Sequence, residues 1–97
     1  MRKITADAVR AFRNRQPFKR GNTLVKVFDN SVVLCLHGNM IAELATDGAL
    51  YISDGGWQSN TTKERLNGFP TVNIHQKDFR WFLNGVEWDG SKIKVDW

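Results

Sequence analysis

Two hydrophobic periods divide the chain. Over residues 5–15, Ala8, Val9, Ala11 and Phe12 make an apolar stripe at helical spacing, with Arg10 and Arg13 on another side. Thr5 is placed to cap this helix and Asp7 suits its first turn. Pro17 stops it near Arg15, because proline disfavours helix at the preceding Gln16. Phe18 is expected to tuck under a sheet, and Arg20-Gly21-Asn22 to form a loop. From Thr23 the period becomes two. Apolar runs cover 24–28, 32–36, 40–44 and 50–52, separated by Asp29-Asn30, Gly38-Asn39 and Asp47-Gly48. Gly-Asn suits a type II′ turn and Asp-Gly a type I′ turn, so these strands read as an antiparallel meander over 23–53.

Beyond the Gly-rich loop Asp54-Gly55-Gly56, the pattern turns helical again. Thr61 and Glu64 have capping-box spacing and predict a short helix over 61–67, with Gly68 as the left-handed residue after it and Pro70 barring its resumption. A helix of two turns needs packing from Leu66 and Phe69 to persist. Period two then returns. Val72 and Ile74 alternate with Asn73 and His75. Phe79, Trp81 and Leu83 make a buried face, with Arg80 and Phe82 opposite. Asn84-Gly85 is a second type I′ signal before Val86-Glu87-Trp88, and Asp89-Gly90 precedes the alternation of Ile93, Val95 and Trp97. The element order is α-β-β-β-β-α-β-β-β. The fold class is α+β: one small domain over 1–97, an antiparallel sheet of β-meander plus C-terminal hairpin, with an N-terminal helix and a short second helix. Its segments are the basic helix and loop (1–20), the meander (23–53), the short helix (61–67) and the C-terminal strands (71–97).

Composition narrows the class of function. Ninety-seven residues cannot hold separate cofactor and substrate domains. With 41% hydrophobic and 25% charged residues, the chain has globular rather than disordered composition. No apolar run is long enough for a membrane span, the N-terminus lacks a signal-peptide core, and the single Cys35 suits a reducing cytoplasm. The net charge of +4 is uneven. Residues 1–26 carry eight basic side chains against Asp7 alone, a balance of +7, whereas residues 27–97 carry six basic and nine acidic groups, a balance of −3. Such an arm attracts nucleic acid or an acidic protein, or simply solvates a helix face.

No constellation points to catalysis. Cys35 and His37 share a strand face as a conceivable nucleophile pair, but Cys35 among Val33, Leu34 and Leu36 reads as a small core hydrophobe. Cys35, His37 and His75 fall short of a zinc ligand set, and no phosphate-loop pattern is present. Asp47, Asp54, Asp78 and Asp89 are explained by turns. No metal or cofactor is expected. Arg80 beside Phe82 on an open sheet face could stack a base, and Trp57, Trp88 or Trp97 left exposed would anchor a protein interface.

The stretch Gly56-Trp57-Gln58-Ser59-Asn60-Thr61-Thr62-Lys63-Glu64-Arg65-Leu66-Asn67 resembles the GW-x-[ST]-x-TTK-x-RLN segment of small, uncharacterised bacteriophage and mobile-element proteins. The resemblance extends over roughly residues 24–88 and includes His37-Gly38-Asn39-Met40-Ile41-Ala42, Ile74-His75-Gln76 and Trp81. It implies a phage protein acting in the cytoplasm of a bacterial host. With the missing catalytic constellation and surplus aromatics, the leading reading is a non-enzymatic accessory protein that binds a host defence or replication protein. The alternative is a nucleic-acid-binding module. Candidate contacts for either partner are Arg10, Arg13, Arg15, Lys19 and Arg20 on the basic arm, with Lys63, Arg65, Arg80 and Phe82 on the body. No membrane partner is expected, and pairing of two copies through the N-terminal helix stays open.

Overall fold

The computed structural model describes residues 1–97. Helix α1 runs Lys3–Arg13, starting three residues earlier than the cap at Thr5 predicts. Arg2 occupies the cap position without a side-chain hydrogen bond, and Thr5 lies within the helix, fully buried. Ala8, Val9 and Phe12 form its buried stripe. The chain leaves the helix through Arg15 at φ 54°. The expected loop contains a further strand, β1 (Phe18–Arg20), whose Phe18 packs against the core. Gly21, at φ 56°, turns it into β2 (Thr23–Val27).

The meander follows as β3 (Val32–Leu36), β4 (Asn39–Leu44) and β5 (Leu50–Ile52). The β3–β4 turn is His37-Gly38, one residue before the expected Gly38-Asn39. Both residues have positive φ, 53° and 80°, which makes the turn type I′ rather than II′. Between β4 and β5 only Gly48 has positive φ (83°), and the loop closes through Ala45 and Ala49. A bulge between Leu34 and Cys35 in the β3–β4 register leaves Ile41 without an opposing residue. Strand β9 (Ile93–Val95) leaves the C-terminal hairpin and pairs antiparallel with β5. The large sheet is therefore six-stranded, ordered β1-β2-β3-β4-β5-β9.

Helix α2 spans Asn60–Leu66. Its cap is Ser59, whose Oγ accepts from the Thr62 amide at 3.1 Å, and Glu64 is engaged elsewhere, so the Thr61–Glu64 capping box does not form. Gly68 is not a left-handed cap either. A Cβ there would stand 2.6 Å from Thr5 Cγ2 and 2.9 Å from Val9 Cγ2, so its role is the close approach of α1. A small sheet follows, β6 (Ile74–Lys77), β7 (Arg80–Leu83) and β8 (Val86–Glu87). Asn84-Gly85 makes the predicted type I′ turn, with φ 51° and 87°.

Both sheets and both helices bury side chains in one core cluster. Phe12 of α1, Phe69 after α2 and Trp97 meet edge to face, with centroids 5.2–5.7 Å apart. All of this lies on one side of the large sheet, since Val25, Leu34, Leu44 and Leu50 point inward to it. The alternate residues of those strands face the side that neither helix covers.

Candidate functional site

The chain's most connected polar group is Arg65, taken from sequence as an exposed contact but only 2% exposed. Its Nε donates to Thr23 Oγ1 of β2 at 3.1 Å, and Nη1 donates to Thr5 Oγ1 of α1 at 3.0 Å and to Glu64 Oε1. Glu64 also accepts from the Thr5 hydroxyl, and its other oxygen accepts from the Arg2 amide at 3.2 Å. Burial pushes the Glu64 carboxyl up, but the hydrogen bonds from Thr5, Arg2 and Arg65 outweigh it and hold the group below its ordinary range. This network joins both helices to the large sheet, and Arg65 is a structural residue. Thr62 is buried as well, which leaves Lys63, reaching Gln76 Oε1 at 3.5 Å, as the accessible basic residue of α2.

The basic arm divides. Asp7 takes Lys3 and Arg20, each at 2.9 Å, and those hydrogen bonds lower its carboxyl pKa. Arg20 also lies over the Phe18 ring, 5.0 Å from its centroid. Arg10, Arg13, Arg15 and Lys19 are exposed and have no carboxylate partner. Arg13 sits over the Trp97 ring at 5.5 Å. Arg10 lies opposite the buried stripe of α1, whereas Lys19 projects to the other face of β1 from Phe18. The four cations are therefore not one cluster.

Arg80 and Phe82 do share the outer face of the small sheet. Arg80 pairs with Glu87 at 3.2 Å, and Phe82 stacks on His75 with centroids 5.2 Å apart and planes 12° apart. No hydrogen bond or ion pair joins these residues to Lys63 or the basic arm. The expectation for Phe79 fails. It is 94% exposed rather than core, and it forms the two-residue β6–β7 turn with Asp78, at φ 65° and 54° respectively. The alternation counted through Phe79 runs one residue past the start of β7. Asp78, a turn former already assigned to a turn and following the polar run His75-Gln76-Lys77, was the signal that could have moved Phe79 into the turn as well.

Trp57 is 74% and Trp97 43% exposed, whereas Trp88 is buried. Cys35 is buried and its thiol is pushed up by desolvation, but it lies on the sheet face away from the core cluster. His37 stands exposed in its turn, so it does not continue the strand face of Cys35. No group of three or more His, Cys, Asp or Glu side chains converges to hold a metal. A cleft of about 470 Å³ opens between β8 and β9, lined by Leu83, Val86, Trp88 and Ile93 among others, and includes none of the predicted contacts. No helix is long and apolar enough to cross a membrane.

No curated protein and no solved structure matches the sequence. A family model does: the one described as Kyanoviridae Gp96 protein matches residues 1–97. The chain belongs to that family and is a bacteriophage protein.

Proposed function

We propose that this phage protein is a non-enzymatic accessory protein that binds and modulates a host protein of the defence or replication machinery. The observation carrying this reading is Phe79. A bulky residue in the left-handed region costs roughly 1–2 kcal/mol, and Phe79 returns none of that in packing because it is 94% exposed. An aromatic held at a hairpin tip against local preference suits an anchor for a partner's pocket. Trp57, 74% exposed, adds a second large apolar side chain.

The test is affinity purification from infected cells with wild type and Phe79→Gly. Glycine relieves the positive φ, so the variant should melt at the same or a higher temperature. Wild type should recover one bacterial protein in stoichiometric amount. Loss of a central anchor of about 2 kcal/mol would weaken that complex about thirtyfold. Equal recovery by Phe79→Gly would refute the anchor, and no stoichiometric partner for wild type would refute the function.

A second reading, nucleic-acid binding, is favoured by the absence of carboxylate partners for Arg10, Arg13, Arg15 and Lys19. Lys19 lies on the other side of the large sheet, so phosphate contacts from the three arginines would make log affinity for duplex DNA fall with log salt at a slope of about −3. Arg10→Gln with Arg15→Gln should flatten that slope. Truncating residues 1–20 is no substitute test, because it would remove Phe12 from the core.

A further inference from the structure

The large sheet has a face that the sequence reading did not single out. Strand registers set its composition. One row across the strands runs Lys26, Val33, Glu43, Tyr51, Lys94, and the next runs Lys19, Leu24, Cys35, Met40. Lys92 swings onto the same face, with its Nζ 2.9 Å from Glu43 Oε1 and 5.0 Å from the centre of the Tyr51 ring. Four lysines thus meet one carboxylate, a local balance of +3. Lys92 and Lys94 come from the part of the chain whose summed charge is negative.

The centre of the face is apolar. Val33 and Cys35 are buried without belonging to the core cluster, and Met40 beside them is 41% exposed. Neither helix reaches this side, since their buried apolar side chains join the core opposite and Arg65 binds Thr23 on that same core side. An apolar centre inside a charged rim is the anatomy of a protein interface, and the rim's sign fixes the complementary charge. A nucleic acid would be better met by arginine platforms, and this face has no arginine, while its tyrosine is half-buried and already under Lys92.

We propose that the helix-free face of the large sheet docks an acidic protein surface, with Lys19, Lys26 and Lys94 as its cationic rim and Met40 at its centre. The proposal rests on the reading of this chain as a protein-binding protein, but not on Phe79. Its probe is the bacterial protein recovered by the wild-type chain from infected cells, purified and titrated against variants. Lys26→Glu with Lys94→Glu should weaken binding more than tenfold, and raising salt should weaken the wild-type complex as well. Lys3→Glu with Lys77→Glu, an equal charge change at exposed positions of α1 and β6, should leave binding within about twofold, because salt screens exposed charges that lie away from the interface. Circular dichroism on each variant checks that these exposed substitutions leave the fold intact. Unchanged affinity in the lysine variant overturns the proposal while the protein-binding function stands. Equal loss in both variants, or loss on nuclease treatment, overturns it in favour of general attraction to polyanions. Failure of wild type to recover any partner overturns both readings.

Discussion

At the residue scale, the decisive groups are Arg65, Glu64 and Gly68. The Glu64 carboxyl has a folded pKa below its ordinary 4.5, so it contributes stability that is present above that pH and lost as pH falls through the folded value. Denaturant midpoints for wild type should therefore fall on acidification below about pH 4.5, and Glu64→Gln should show a flatter fall over the same window. Gly68→Ala tests the approach of α1. Its methyl would overlap Thr5 and Val9 and should cost about 1–3 kcal/mol in urea unfolding. The sequence points to Gly68 as special for the wrong reason. A glycine after a helix usually marks positive φ, and only the packing of another element reveals that lack of volume is what matters here.

At the element scale, α2 shows how local rules compete. Two residues could cap it, Ser59 and Thr61, and only the Thr61–Glu64 spacing advertises a capping box. Glu64 is instead drawn to Thr5 and Arg65, so the box loses its return bond and the helix starts at Asn60 with Ser59 as its cap. Ser59→Ala should destabilise the protein by about 1 kcal/mol in thermal melts, and Thr61→Ala by clearly less. The hairpins were more legible. Asn84-Gly85 and the strand alternation of β2 to β5 were readable because turn chemistry and pleating involve adjacent residues alone. The β6–β7 turn broke that rule by placing Phe79 at a position glycine prefers, and the local code misassigned it to the core.

At the scale of the whole molecule, the Phe12–Phe69–Trp97 cluster ties the first helix, the segment after the second helix and the end of the chain into one unit. Phe12→Ala should cost about 3–5 kcal/mol and be seen as one cooperative loss in calorimetry, because both sheets share the core that it empties. The charge map also changes at this scale. Of the eight basic side chains in residues 1–26, Lys3 and Arg20 are held within the fold by Asp7, the one acid of that segment. The remaining cations spread over the outer side of α1 and the opposite face of the large sheet.

The sequence by itself determined the class of fold, the meander and roughly where its turns fall, with Asn84-Gly85 alone taking the type predicted, because helical period, alternation and turn residues report on near neighbours. Tertiary structure decided the rest. The partners of Arg65 lie 42 and 60 positions away, at Thr23 and Thr5, and no local pattern distinguishes a cation that will find them from one left in water. The pairing of β9 with β5 and the charge of the helix-free face depend equally on which distant strands become neighbours. Burial and surface charge are properties of that assembly, set by chain closure over long separations rather than by the residues alongside.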